Sequence, residues 1–310
     1  MTSANPSSAP KLSPLKAWLL AIRPPTLLLA LAAISMGTFA ASANGHARLA
    51  VALTAALTAT LLQILSNFAN DYGDTQKGTD STSTSSRKQV LQQGIISFAE
   101  IRTAMIICGC LAAVSGITLL ILAFGQLSLT MLIFLALGAA SLWAAYAYTA
   151  TDNPYGYAGL GDVMVFIFFG LVAVLGSYIL QAGSFNWAVL LPASASGCLA
   201  VAVLNINNMR DLENDAKYDK RTVPVRIGLA AARRYHTLLL LLPFVLATIY
   251  TLSHYSSLWQ WLFVVSAPLF GINGRHIWTH QDAELAPMLK QMTLTSVAFT
   301  LLFGIGLLLG

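Results

Sequence analysis

The stretch LLPASASGCLAVAVLNINNMRDLENDAKYDKR (residues 190–221) changes character partway along its length. Residues 190–206 carry no charge. In the fifteen that follow, eight are charged: Arg210, Asp211, Glu213, Asp215, Lys217, Asp219, Lys220 and Arg221. Four of the chain's twelve acidic residues fall between Asp211 and Asp219, in a protein of which only 9% is charged. The apolar half reads as a membrane-spanning helix and the charged half as the end where that helix meets water.

The rest of the chain has the same grain. It has 310 residues, 56% of them hydrophobic, and a mean hydropathy of +0.69. A soluble protein carries about 25% charged residues, so this is a membrane composition. A spanning helix needs about 20 mostly apolar residues. Nine candidate spans meet that need, near 17–42, 49–70, 103–124, 127–149, 158–181, 186–210, 236–253, 256–273 and 291–309. The ten-residue alternating strands of a membrane barrel are absent. The expected fold is an all-α, polytopic membrane protein: nine transmembrane helices in a bundle with two cytoplasmic Asp-rich loops. Residues 1–15, polar and rich in Ser and Pro, read as a disordered cytoplasmic tail, and 16–310 as a single membrane-embedded domain. The first apolar run is too long for a signal peptide and lacks a cleavage site, so it stays as an anchor. Cys108, Cys110 and Cys198 fall inside spans and read as small apolar residues.

Charge orients the bundle. With nine spans, one set of alternate loops and the N-terminal tail hold every Lys and Arg but Arg48. The positive-inside rule places that set in the cytoplasm. The net charge of +5 is therefore topological and requires no nucleic-acid partner. Two of these loops are long, 74–97 and 214–234, and each follows a helix ending in Asn and Asp. Asp74 and Asp215 are 141 positions apart, which suggests a weakly repeated four-helix unit.

On helices, Asn67, Asn70, Asp71 and Asp74 share an arc of about 100°, and so do Asn207, Asn208, Asp211 and Asp215. Each stripe ends an apolar span, so each is expected to face the bundle interior. One such stretch is unremarkable as a solvated helix end; two with the same Asn–Asp spacing are a pattern. Four converging carboxylates repel unless cations neutralise them. Hard oxygen ligands suit Mg²⁺, which takes one or two carboxylates and bridges to substrate phosphates. Two facing acidic helix ends are thus expected to hold Mg²⁺ and a diphosphate. Lys77, Arg87, Lys88, Lys220 and Arg221 in the adjoining loops would neutralise the remaining oxygens. Beside a lipid bilayer, the matching substrate class is a polyprenyl diphosphate. An apolar, aromatic cavity would shield the allylic carbocation-like species from water.

Asn70-Asp71-Tyr72-Gly73-Asp74 and Asp211-Leu212-Glu213-Asn214-Asp215 resemble the two aspartate-rich motifs of the UbiA superfamily of intramembrane aromatic prenyltransferases. RPPTLLLA (23–30), NFANDYGDTQKGTD (67–80), PYGYAGLGD (154–162), VFIFFG (165–170) and NINNMRD…KRTVPVRIG (205–228) are similar to its naphthoate-prenylating branch. The resemblance covers nearly the whole chain. It implies Mg²⁺ and diphosphate binding by Asn70, Asp71, Asp74, Asn208, Asp211 and Asp215. It extends the first motif to Asp80, because the position where many relatives carry another Asp is Gly78 here. It also implies the acceptor, 1,4-dihydroxy-2-naphthoate, prenylated at the carboxylate-bearing carbon with loss of CO₂ in menaquinone biosynthesis, and a bacterial inner membrane. Within the same family the alternative acceptors are 4-hydroxybenzoate and homogentisate.

Further residues carry two readings each. Arg23, before Pro24-Pro25, is a topological anchor or a contact to diphosphate or acceptor carboxylate. Tyr148, Tyr155 and Tyr157 form an interfacial aromatic belt, or a hydroxyl such as that of Tyr148 contacts substrate. Asp162, just inside span five, is a functional candidate because an intramembrane carboxylate is costly. The five histidines read as loop or interfacial residues, and no His/Cys cluster suggests zinc or haem. A secondary transporter would place its acids near the midplane on broken helices, whereas these sit at one end and run into basic loops. A CDP-alcohol phosphotransferase would need a DGxxAR-type motif, which is missing.

Overall fold

The computed structural model describes residues 13–78, 89–92 and 94–310. Nearly all of the tail expected at 1–15, and the site candidates Asp80, Arg87 and Lys88, lie outside the described residues. Within them the chain is all-helical, 83% helix with no strands. In chain order the helices are α1 (Pro14–Ile22), α2 (Pro24–Ala43), α3 (Leu49–Gln76), the short α4 (Gln89–Gln92), α5 (Phe98–Phe124), α6 (Leu129–Ala147) and α7 (Gly161–Ala182). Then come α8 (Trp187–Arg210), the short α9 (Leu212–Lys217) and α10 (Val223–Ile227), and α11 (Leu229–Ser253). A 3₁₀ stretch, Leu258–Ser266, runs into an α-helix, Ala267–Thr279, and the two together are α12; α13 is Asp282–Leu308.

Eight helices among the described residues are long and apolar enough to cross a membrane, against nine expected. The difference is the segment at 256–273. The helical run there, Leu258–Thr279, is long enough, but Gln260, Asn273, Arg275 and His276 leave it less apolar than the other eight. The first expected span is broken. Arg23 precedes Pro24, and a residue before proline is pushed out of the right-handed helical region. Arg23 adopts φ 55° and ψ 69°, so α1 ends and α2 restarts with prolines where their missing N–H is harmless. The expected loop at 214–234 is mostly helical, taken up by α9, α10 and the start of α11.

Helix α8 is the most enclosed of the spanning helices and α6 the least. The small residues of α8 explain its position. A side chain at Gly170 would meet Ala193 O at 2.7 Å and Gly197 Cα at 2.9 Å, so α7 and α8 touch backbone to backbone there. Residues Phe166–Leu175 of α7 wind as a π-helix at this contact. Histidine 236 is a correction: it is buried inside α11, not interfacial, with Nε2 2.8 Å from Asn273 Oδ1 of α12. Asn273 Nδ2 in turn donates to Gln291 Oε1 of α13 (2.6 Å), so a polar chain joins three helices. His276 likewise lies within a helix rather than a loop.

Arg48, the lone cation expected on the far side, clamps that end. Its N–H donates to Gln181 Oε1 (2.8 Å), and its guanidinium donates to the carbonyls of Leu122, Ala123 and Leu180. These are the final turns of α5 and α7, where helix dipoles present negative charge. The clamp defines one end of the bundle. The other end gathers the C-termini of α3, α6 and α8 with the N-terminus of α7. Arg48→Ala is expected to lower the unfolding temperature in detergent by a few degrees, with Arg48→Lys intermediate; an unchanged midpoint would show that the clamp contributes nothing.

Candidate functional site

Both Asp-bearing helix ends arrive at that second end, at the head of a cavity of about 780 Å³. Of the expected residues, Arg23, Asn67, Asn70, Asp74, Tyr148, Asn207, Asn208, Asp211 and Lys220 line it. Its body is apolar, with Phe134, Phe168 and Phe169 among its walls. Asp71 and Asp215 are buried behind the lining.

The carboxylates are held by the chain's own cations. The Arg23 guanidinium donates to Asp71 Oδ1 and to Asn70 Oδ1. Asn70 Nδ2 donates to Asp74 Oδ2 (3.1 Å), and the Tyr157 hydroxyl donates to Asp74 Oδ1 (2.8 Å). Lys220 Nζ lies 3.5 Å from Asp74 Oδ2 and 4.0 Å from Asp215 Oδ1, bridging the two motifs. Arg210 holds Asp211 through Nε (2.8 Å) and Nη2 (2.6 Å), and Nη2 also donates to Asn207 Oδ1 (3.0 Å). Among the described residues, four carboxylates and three cations thus make one cluster, with each acid beside a cation and one negative charge in excess.

Burial by itself favours the neutral amine of Lys220, but Asp74 and Asp215 outweigh it and raise the ammonium above the usual lysine range. A raised folded-state pKa stabilises the fold below the unfolded value and is lost only as pH rises through the folded one. The bridge therefore persists across neutral pH. Burial, with Asp74, Asp162 and Asp215 adding to it against Lys220, pushes the Tyr148 hydroxyl up to about 12. Tyr148 is a standing hydrogen-bond donor at the cavity wall.

Several expectations change. The second stripe is not on one helix: α8 ends at Arg210, and Asp211 (φ −97°, ψ 14°) links it to α9. Asp215 N still donates to Asp211 O (2.8 Å), which keeps the two acids within one turn. Asn67 serves the fold as much as the cavity, since its Nδ2 donates to Ile22 O (2.7 Å) and Thr26 Oγ1 (2.8 Å), fixing the α1–α2 break. Lys77 turns away from the cavity to Thr151 O (2.7 Å) and Thr149 O (3.4 Å). Arg221 is exposed and pairs with Asp219 (2.9 Å). Asp162 is buried, hydrogen-bonded to Tyr235 of α11 and outside the lining, with Oδ2 unpartnered. Tyr157 belongs to the cluster although its spacing reads as belt. Gln63, Ser66 and Lys290 line the cavity without having been marked. Gln63 and Ser66 extend the first stripe by one helical turn, a signal the spacing carried; Lys290 had none, because its helix face is set by packing.

Gly73, between the two aspartates of the first motif, is fixed by contact. A side chain there would meet Thr149 O at 2.3 Å. Thr149 Oγ1 also donates to Ala69 O (3.0 Å), so α3 is pressed against the end of α6 exactly where Asp71 and Asp74 are presented.

Residues 27–297 match the UbiA prenyltransferase family. Over 300 residues the chain is 44% identical to the 1,4-dihydroxy-2-naphthoate octaprenyltransferase of Escherichia coli (strain K12), covering 96% of this chain and 97% of that protein. Among solved structures, it is similar to a UbiA homolog from Aeropyrum pernix K1, with TM-score 0.69, 16% identity and coverage of 93% and 98%. A UbiA homolog from Archaeoglobus fulgidus bound to GPP and Mg²⁺ is similar with TM-score 0.62, 17% identity and coverage of 93% and 99%.

Gly73→Ala is expected to destabilise the chain by about 1–3 kcal/mol, the usual cost of overpacking. Gly138→Ala in α6, where an added carbon meets nothing within 4 Å, serves as the control. Equal unfolding midpoints for the two variants would contradict the close α3–Thr149 contact.

Proposed function

The chain belongs to the UbiA prenyltransferase family, and we propose that it transfers a polyprenyl group from polyprenyl diphosphate to 1,4-dihydroxy-2-naphthoate with loss of CO₂, yielding demethylmenaquinone as its quinol in menaquinone biosynthesis. The observation that carries the reading is the convergence of two acidic helix ends and their cations at the head of a long apolar cavity. The naphthoate acceptor is supported by the identity to the Escherichia coli enzyme over nearly the full length of both chains. By the positive-inside rule the acidic end faces the cytoplasm; the similarity to a bacterial enzyme supports an inner membrane, with 16–310 read as one membrane-embedded domain.

Among the described residues no three acidic, histidine or cysteine side chains converge on one point as a ready metal site. The oxygen donors are instead spread over two facing helix ends: Asn70, Asp71 and Asp74 on one, Asn208, Asp211 and Asp215 on the other. This hard donor set fits Mg²⁺ shared with substrate phosphates, the usual mode for that ion, better than an ion held by protein alone. When bound, Mg²⁺ would neutralise the diphosphate and make it a better leaving group. Arg23 and Lys220, freed from the carboxylates, would turn to the diphosphate oxygens.

The reaction balances without an added base at carbon. The allylic C–O bond breaks, and its electron pair leaves with the diphosphate. The electron-rich naphthalenediol attacks the allylic carbon through the ring carbon that bears the carboxylate. The ring–carboxylate bond then breaks, CO₂ leaves, and its electron pair restores the aromatic ring. The apolar walls would exclude water from the cation, and the rings of Tyr148 and the lining phenylalanines would stabilise it. Tyr148, protonated at working pH, would donate a hydrogen bond to substrate oxygen.

Purified protein given a polyprenyl diphosphate, Mg²⁺ and either dihydroxynaphthoate or 4-hydroxybenzoate should form a decarboxylated prenyl-naphthalenediol, identified by mass, only with the former. Product from neither acceptor would sink the reading. Asp74→Asn and Asp215→Asn should each lose roughly 10²–10³-fold in turnover while still inserting; near-normal rates would refute their role. By calorimetry, Mg²⁺ should bind at least about tenfold more tightly with an inert prenyl thiolodiphosphate present than alone, one decade being about 1.4 kcal/mol. Equal affinity in both titrations would mean that the protein alone supplies the metal's ligands.

A further inference from the structure

Among the described residues, three cations line the main cavity: Arg23, Lys220 and Lys290. Arg23 is engaged by Asp71 and Asn70, and Lys220 by Asp74 and Asp215. Lys290 is exposed at the cavity's lining and has neither an ion pair nor a hydrogen bond with any described residue. It stands on α13, where it shares one helix face with Ala286, Leu289 and Thr293, all of which also line the cavity. The donor groups of the acidic motifs come from α3, α8 and α9. Lys290 is therefore on a different wall.

Local helix stability does not account for this charge. Lys290 is the fifth residue of the regular α-helix Ala286–Leu308, near its positive dipole end, where a cation is disfavoured. What such a cation in the wall suits is an anion other than the one that the acidic motifs and their metal would hold. The two substrates bring two anionic groups. The diphosphate is matched by the cluster already described. The carboxylate of the acceptor has no partner there.

We propose that Lys290 recognises the acceptor carboxylate and so sets the enzyme's preference for a carboxylated aromatic ring; this rests on the acceptor class proposed above. A lysine suits the task. It is a point charge on a flexible stem, without the bidentate fork by which arginine locks a carboxylate. It favours the ionised form of the acid, the form that departs as CO₂, and orients it without a rigid grip.

The test uses the full-length purified enzyme and the variants Lys290→Met, which keeps the apolar stem, and Lys290→Arg. KM is measured separately for dihydroxynaphthoate and for polyprenyl diphosphate, and each enzyme is also given 1,4-dihydroxynaphthalene, which lacks the carboxylate. Lys290→Met should raise KM for dihydroxynaphthoate by about tenfold, the equivalent of one charge-assisted contact. It should leave KM for the diphosphate within about twofold, and Lys290→Arg should recover most of the loss. Apparent affinity for dihydroxynaphthalene should be the same in all three enzymes. An unchanged KM for dihydroxynaphthoate would overturn the proposal and leave Lys290 as an interfacial anchor. Equal rises in both KM values would overturn it too, assigning Lys290 to the diphosphate or to the fold. Failure of the wild-type enzyme to use dihydroxynaphthoate at all would instead strike the parent reading.

Discussion

Four carboxylates at one end of an apolar bundle have to be neutralised, and much of the structure follows from how this is done. Arg23 takes Asp71, Lys220 bridges Asp74 and Asp215, and Arg210 takes Asp211. A carboxylate within or beside a low-dielectric interior is costly unless paired and hydrogen-bonded. These pairs let acids be concentrated beside lipid without unfolding the helices that carry them. They also join distant parts of the chain, since Lys220 bonds a residue 146 positions away. The same cations are the groups a diphosphate would engage, so the neutralising contacts and the proposed ligand-binding contacts are two uses of one set of side chains.

Backbone geometry serves this cluster. The break at Arg23 gives α1 and α2 separate axes and places the guanidinium against Asn70 and Asp71. The break at Asp211 lets the chain leave α8 and return Lys220 to the cavity, where Lys220 N is held by Asp215 O (2.9 Å). At Gly73 the backbone of α3 lies directly on Thr149, and at Gly170 α7 lies directly on α8. The far end has its own counterpart in Arg48, whose contacts are with helix carbonyls instead of acids. One end of the bundle is tied by dipoles, the other by charges.

Much of this was legible in the chain. Apolar runs of about twenty residues mark eight of the helices, because a membrane constrains length and composition directly. The i, i+3, i+4, i+7 spacing of Asn and Asp marks the site, because a helix converts spacing into a face. Even the break at Arg23 was written in Pro24, although the length of the run hid it. Lys77 and Arg221 show where such reading fails. Both are basic and adjacent to a motif, yet one turns to the carbonyls of Thr149 and Thr151 and the other to Asp219. Loop residues lack the periodicity that fixes direction. His236 failed for a related reason: its proximity to Arg233 and Arg234 suggested an interface, while its partner Asn273 is 37 positions away.

The sequence by itself determined the class, the two acidic motifs and the family they resemble. All of these depend on local quantities: apolar length, charge density and the angular repeat of a helix. Which cation meets which carboxylate, which tyrosine joins them, and that Lys290 comes to line the cavity without a partner among the described residues were decided only in the tertiary structure. Each of those facts depends on how helices far apart in the chain are packed, and long-range packing has no period that a single sequence can display.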